Sequence, residues 1–156
     1  MDCRNCDPRR AYTHLLGIPR WRDFCSDAHV SSKANELAER LKRFGTRIVI
    51  FARAMPTDPS SQVLAKQLTG SGTAQSANYR AARRGRSRAE FIAKLGVAAE
   101  EADETEHWLM VIAGAHIIST TAGLRELDWL TEESRQLRAI LVASATTARI
   151  NHRHRQ

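Results

Sequence analysis

The sequence has 156 residues and a formal net charge of +7, with 20 arginines and four lysines against 17 acidic residues. This length suits one domain that buries a core without disulfide support. No apolar run approaches the roughly 20 residues of a membrane span, and no apolar segment follows the basic residues near the N-terminus. We therefore expect a cytoplasmic protein with reduced cysteines and without a membrane partner.

The first predicted helix starts at Ser31 or Ser32 and ends before the proline-containing segment 56–59. Its apolar residues recur at steps of four and three, the spacing of a heptad stripe: Leu37, Leu41, Phe44, Ile48, Phe51 and Met55. Proline disfavours helical geometry in the residue before it, which ends this helix. Residues 1–30 show no sustained period, and we expect them to be flexible or loosely attached.

The second predicted helix begins near Ser60 or Ser61, ends near Gly85 and contains the tract Gly70-Ser71-Gly72-Thr73. Two glycines in this context have the composition of a phosphate-binding loop. Such a loop needs a following lysine and a preceding strand, and the sequence has neither. The tract is therefore predicted to lie within the helix, where its small side chains allow close packing against helix three. Each glycine costs about 1 kcal/mol of helix propensity relative to alanine.

The third helix is predicted to begin with a capping box formed by Ser87 and Glu90. It lasts to about Thr120, with His116 on its inner stripe as a core or interface residue and Gly123 as the stop.

Thr131, followed by two glutamates, has the form of a cap for helix four, because acids favour the positive end of a helix dipole. The fold class is thus all-α, an up-down-up-down four-helix bundle over residues 31–152, followed by a basic tail at 153–156.

Residues 62–109 resemble a four-helix-bundle family whose members are often encoded in intervening sequences of bacterial large-subunit ribosomal RNA genes. The motif residues follow in order: Gln67-Leu68, Ser71 to Ser76, Ala77-Asn78-Tyr79, Ser87, Phe91-Ile92, Lys94-Leu95, Glu101, Glu104-Thr105 and Trp108-Leu109. The chain departs from the family at Ala81, where an acidic residue is usual. Helix two therefore lacks a carboxylate that could form an ion pair with a basic partner.

This family is similar in fold to the accessory variability proteins of diversity-generating retroelements, which form basic pentameric barrels and work with a reverse transcriptase and nucleic acid. The resemblance implies a four-helix bundle and a homo-oligomer, with a pentamer as one expectation. It also suggests RNA, DNA or a reverse transcriptase as partners.

Seven arginines are candidate nucleic-acid contacts. Five flank the turn between helices two and three and two lie on helix one: Arg80, Arg83, Arg84, Arg86, Arg88, Arg43 and Arg47. A guanidinium group matches a phosphate with two hydrogen bonds. The alternative is a solvated turn whose charges pair with nearby acids. Only Tyr79 is an aromatic residue near the cluster, so any binding should follow the backbone and tolerate different base sequences.

A polar layer is predicted inside the bundle from Gln75, Asn78, Glu101, Glu104 and Thr105. It can be read as a functional polar site or as a buried layer that fixes helix register, as a core asparagine does in coiled coils.

The acids of helix three do not match a di-iron bundle. Such bundles carry a glutamate with a histidine three positions later on two helices, and only the pair Glu104 and His107 has this spacing here.

Cys3, Cys6, Cys25 and His29 have the residue types of a tetrahedral zinc site, and the alternative is a set of reduced thiols. No arrangement of serine, histidine and acid indicates catalysis, so we expect a non-enzymatic protein without a cofactor.

Charge is distributed unevenly along the chain. Residues 32–88 carry twelve basic and three acidic side chains, whereas residues 89–129 carry two basic and eight acidic ones. The function predicted from the sequence is binding of nucleic acid, or of a nucleic-acid enzyme, by a basic oligomeric bundle. The alternative is a protein-interaction scaffold that assembles by pairing of basic and acidic helix faces, without nucleic acid.

Overall fold

The computed structural model describes residues 32–153, which form four α-helices and no strand. The helices are α1 (Ser32–Arg53), α2 (Pro59–Arg83), α3 (Arg88–Gly114) and α4 (Thr121–Arg153). Each helix packs against the next in the chain, and α4 returns to α1, so the four surround one core. The predicted four-helix bundle is confirmed, while the expectation for residues 1–30 falls outside the described part of the chain.

Contacts between the helices show that neighbours run antiparallel. Arg40 and Arg47 of α1 bind Glu133 and Glu126 of α4, so moving forward along α1 means moving backward along α4. The same reversal relates α3 to α4 through the pair Glu106–Arg138 and the approach of Arg149 to Gly96. The topology is therefore up-down-up-down.

The apolar stripe of α1 is buried as its spacing predicts. Leu41, Phe44 and Ile48 have no exposed surface, and they join core residues from the other three helices. Burial of this stripe, at roughly 25 cal/mol per Å² of apolar surface, is the main term that holds α1 against the bundle.

The first turns of α2 and α3 are fixed by side-chain caps. Asp58 caps α2: its carboxylate accepts a hydrogen bond from Ser61 N at 3.1 Å, with Pro59 in the first turn. Ser87 caps α3 and accepts from Glu90 N at 3.1 Å, as predicted. The Glu90 carboxylate reaches back to Arg86 N at 2.8 Å, one residue beyond the amide of a standard capping box.

The glycine–serine tract lies in the middle of α2, and its close packing is directed mainly at α1. A Cβ atom on Gly72 would stand 2.8 Å from Cγ2 of Ile48, and one on Gly45 would stand 3.2 Å from the Gly72 carbonyl oxygen. The Ser71 side chain faces α3. Gly70 lies on the exposed side of α2, and a Cβ atom there would have no neighbour within 4 Å. The predicted helical conformation is confirmed, and the close approach of backbones is to helix one rather than helix three.

The boundary between α3 and α4 differs from the prediction. α3 ends at Gly114, and His116 is exposed with a φ of 52°, a left-handed conformation that histidine adopts more readily than most residues. His116 is therefore a turn residue and not a core residue.

α4 begins ten residues before the predicted cap. Thr120 Oγ1 accepts a hydrogen bond from Gly123 N at 3.1 Å, and Gly123 lies in the first turn instead of ending a helix. A Cβ on Gly123 would stand 2.6 Å from Cγ2 of Ile118, so the glycine leaves room for that side chain. Thr131 is in mid-helix and donates to the Leu127 carbonyl oxygen at 2.8 Å.

The long helix α4 contacts both α1 and α3. It contacts α1 through Glu126, Trp129 and Glu133. It contacts α3 through Arg135, Arg138 and Arg149. The two sets of contacts meet at Glu133 and Arg135, and α4 therefore joins α1 to α3.

Candidate nucleic-acid interface

The arginine turn comprises Arg80, Arg83, Arg84, Arg86 and Arg88, which extend from the last turn of α2 to the first residue of α3. Two hydrogen bonds hold its backbone: the amides of Arg84 and Gly85 donate to the carbonyl oxygens of Ala81 and Ala82 at 3.1 and 2.9 Å. A Cβ on Gly85 would stand 3.2 Å from Phe91 N, so the turn lies close against α3. The arginines therefore project from a short, tightly packed connection.

The structure divides these arginines by their partners. Arg83 donates through Nη2 to Oδ1 of Asn35, which ties the turn to the start of α1. Arg88 is half-buried and already has a partner in the protein. Arg80, Arg84 and Arg86 are exposed, and their guanidinium groups make no hydrogen bond or ion pair within residues 32–153.

The two arginines on α1 lie apart from the turn. Arg43 is exposed and eight residues beyond Asn35, about 12 Å along the helix axis at ~1.5 Å per residue. Its charge contributes to lowering the pKa of Glu39, although the hydrogen bond from Lys42 is the larger cause.

Arg47 is already bound within the bundle. Its Nε and Nη2 donate to the two carboxylate oxygens of Glu126 at 2.8 and 2.5 Å, and its guanidinium carbon lies 3.4 Å from the centre of the Trp129 ring. The hydrogen bonds to Glu126 are the largest cause of the raised pKa of Arg47. This side chain joins α1 to α4 and is not available to a ligand without breaking that contact.

The polar layer is built around Thr105, which is fully buried. Its Oγ1 lies 2.7 Å from the Glu101 carbonyl oxygen and 3.1 Å from Ser71 Oγ, and it accepts a hydrogen bond from Gln75 Nε2 at 3.3 Å. Gln75 is also fully buried, and its Oε1 has no hydrogen-bond partner among the described residues. Ser71 thus belongs to the layer, although it was not among the predicted members.

The other predicted members of the layer lie elsewhere. Asn78 is half-buried and donates to the Ala74 carbonyl oxygen of its own helix at 3.0 Å. Glu101 joins the layer through its backbone, and Glu104 is exposed. Burial, followed by the charges of Glu104 and Glu100, raises the pKa of the Glu101 carboxyl group.

Two acids of α3 are paired with α4. Glu106 binds Arg138 at 2.5 Å and lies 3.5 Å from Arg135, while Asp103 lies 3.5 Å from Arg138. Residues 32–153 contain no group of three or more histidine, cysteine, aspartate or glutamate side chains that could hold a metal ion. The candidate zinc ligands Cys3, Cys6, Cys25 and His29 lie outside the described residues.

Several contacts were not found from the sequence because they join residues far apart in the chain. Arg40 donates to both carboxylate oxygens of Glu133 at 2.6 and 2.7 Å, across 93 residues. Trp129, which lies beneath Arg47, was likewise missed. The only sequence signal was that basic side chains of α1 and acidic side chains of α4 each recur at a spacing of seven residues.

Comparison with known proteins identifies the family. No curated protein matches the sequence. A crystal structure from Bacteroides thetaiotaomicron, described as a protein of unknown function from the S23 ribosomal protein family, is 29% identical to this chain. The alignment covers 72% of this chain and 97% of that protein, with a TM-score of 0.64. Within the described part of the chain, no helix is long and apolar enough to cross a membrane.

The sequence model of a family described as 23S rRNA-intervening sequence proteins matches residues 27–142. This range includes the arginine turn and all of the polar layer. The chain therefore belongs to the 23S rRNA-intervening sequence protein family.

Proposed function

We propose that this protein is a non-enzymatic nucleic-acid-binding bundle that contacts the phosphate backbone through the arginine turn. One observation carries the proposal. Arg80, Arg84 and Arg86 project from one tight connection and are exposed without an acceptor among the described residues.

Other arginines of the same bundle behave differently. Arg40, Arg47 and Arg138 each have a carboxylate partner. The positive charge of these residues is largely compensated within the protein. The charge of Arg80, Arg84 and Arg86 is not compensated within residues 32–153, and a group of uncompensated guanidinium groups favours a polyanion.

The turn supports contact with phosphates more than contact with bases. Tyr79, the aromatic residue nearest in sequence, is only 1% exposed, and so is Phe91. Neither ring is presented for base stacking, which is the usual source of affinity for unpaired bases. Binding should therefore depend weakly on base sequence and strongly on salt.

The family name links its members to intervening sequences of 23S rRNA, which makes RNA the first ligand to test. The similarity in fold between this family and the accessory proteins of diversity-generating retroelements supports a reverse transcriptase as a partner in the same process. A cytoplasmic location is part of this proposal.

Fluorescence anisotropy with a labelled RNA hairpin and a DNA duplex of equal length would test the proposal across about 50 to 200 mM salt. The variant Arg80→Gln/Arg84→Gln/Arg86→Gln should bind more weakly. The slope of log affinity against log salt should fall by about 0.9 for each lost phosphate contact with B-DNA and about 0.7 with a single strand.

A matched control removes the same charge from the opposite half of the bundle. Arg53, Lys66 and Arg125 are exposed there, so Arg53→Gln/Lys66→Gln/Arg125→Gln has the same net charge as the test variant. It should retain most of the affinity. Equal weakening by the two variants, or affinity that does not change with salt, would show that the arginine turn is not a phosphate site.

A further inference from the structure

A groove between α3 and α4 has a chemical character opposite to that of the arginine turn. Its volume is about 400 Å³, within the range of roughly 300–1,000 Å³ that is usual for binding sites. Small and apolar side chains line part of it, with acidic residues of α3 and polar residues of α4 around them: Gly96, Ala99, Glu100, Asp103, Glu104, Val142, Ala145, Thr146 and Arg149.

Two of the three carboxylates of this groove have no ion-pair partner in the described part of the chain. Glu100 and Glu104 are exposed and make no ion pair among residues 32–153. Asp103 lies 3.5 Å from Arg138, but 72% of its side chain remains exposed. Three acids on two successive turns of one helix repel one another, so a cation bound between them would be favoured.

The groove already accommodates a guanidinium group. Nη2 of Arg149 stands 2.9 Å from the place where a Cβ on Gly96 would be, so the absence of a side chain at Gly96 gives this arginine its room. Val142, 44% exposed, adds an apolar surface that the stem of a long basic side chain can cover.

We propose that this groove binds the arginine turn of a second copy of the chain. The argument is charge complementarity: Glu100 and Glu104 have no cation, and the exposed arginines of the turn have no anion, among the residues that the structure describes. One copy does not satisfy both surfaces by itself: Glu100 lies twelve residues beyond Arg88 along α3, about 18 Å at ~1.5 Å per residue, and the exposed arginines of the turn make no ion pair with it.

Two different surfaces meet in this contact, so it is heterologous. Such a contact leaves one free turn and one free groove at the ends of every open assembly, and copies add until a ring closes or a filament grows. The inference stands without the proposed function, but the two share the arginine turn. Nucleic acid and a second copy should therefore compete.

The heterologous pairing can be tested with two variants of the full chain. Glu100→Arg/Glu104→Arg reverses the groove, and Arg84→Glu/Arg86→Glu reverses the turn. Sedimentation velocity should show an oligomer for the unchanged protein at low salt. Each variant alone should be monomeric, because facing like charges weaken the contact by more than about a hundredfold.

Mixing the two variants is the decisive measurement. The intact turn of one variant meets the intact groove of the other, and the reversed groove meets the reversed turn. The two variants should therefore assemble together, in equal numbers, although neither assembles alone. A variant carrying all four reversals should assemble again. Far-ultraviolet circular dichroism checks that each variant is folded.

A matched control is Asp128→Arg/Glu132→Arg, which makes the same change in net charge at exposed positions in the first half of α4. It should assemble like the unchanged protein. A monomeric unchanged protein, an oligomer insensitive to both reversals, or a mixture that stays monomeric would overturn the inference.

The two proposals fail separately. If the groove variant binds RNA while the unchanged protein never self-associates, this inference is wrong and the nucleic-acid function stands. If the two variants assemble only when mixed, while neither the groove variant nor the unchanged protein binds nucleic acid, the reverse holds.

Discussion

Gly70 and Gly72 lie two residues apart in α2 and should respond to the same substitution in opposite ways. Each change to alanine gains about 1 kcal/mol of helix propensity. At Gly70 nothing lies within 4 Å of the new Cβ, so that gain should appear as increased stability. At Gly72 the new Cβ would stand 2.8, 3.0 and 3.2 Å from three carbon atoms of Ile48.

Ile48 cannot easily move away from a side chain at Gly72. It is fully buried, and a β-branched residue in a helix has one strongly preferred rotamer. α1 and α2 must then separate, at a cost of about 1–3 kcal/mol that is typical of overpacked cores. Because both variants share the propensity gain, this cost is the difference between them.

Urea unfolding followed by circular dichroism, at one fixed protein concentration, would measure that difference. The double variant Gly72→Ala/Ile48→Ala provides a second check, because removing the γ-carbons of Ile48 should make the added methyl group less damaging and give a favourable coupling energy. Equal stability of Gly70→Ala and Gly72→Ala would refute the close contact of α1 with α2.

Three further predictions concern other contacts. Glu133→Ala should lower the free energy of unfolding by about 1 kcal/mol because Arg40 loses both carboxylate hydrogen bonds, whereas Glu39→Ala in an exposed pair should leave the urea midpoint unchanged. Thr105→Val should cost about 1–3 kcal/mol by removing the acceptor of the buried Gln75 amide, and adding Gln75→Leu should recover part of this loss; a purely additive pair would contradict the buried layer. Hydrogen bonds from Ser60 and Ser61 lower the pKa of Asp58 from 3.8 to about 2, so its stabilisation is present above about pH 4 and lost as the pH falls towards 2. Asp58→Asn should therefore shift the denaturation midpoint less with acid than the unchanged protein does, and parallel acid titrations would exclude this role of the cap.

Local patterns allowed most of the fold to be predicted. The stripe of α1 and the caps around Ser87 and Glu90 depend on residues within one or two turns of each other, and a local pattern records such relations directly. The tract at Gly70 and Gly72 was recognised as helical because the sequence lacks the lysine and the strand of a phosphate loop.

The boundary between α3 and α4 was missed for a physical reason. Ile117 and Ile118 lie in the connection, yet both are half-buried and pack against the core. Apolar spacing cannot distinguish a helical residue from a connecting residue that also reaches the core. The left-handed backbone at His116 has no strong sequence signal, since that position is usually filled by glycine or asparagine.

The candidate site could be predicted only in part. Arginines close together in sequence were bound to lie close together in space, so the turn was identified. Whether each one is available depends on partners elsewhere: Glu126 and Trp129 engage Arg47, and Asn35 engages Arg83. Whether an arginine is free to bind a ligand depends on its tertiary contacts, and local sequence patterns do not reveal these contacts.

The length of α4 has a mechanical consequence. At about 1.5 Å per residue its 33 residues form a rod of about 50 Å, to which both α1 and α3 are attached. Any bend near the middle of this rod would tilt the two attached helices relative to each other. The stiffness of α4 therefore helps to fix the angle between α1 and α3.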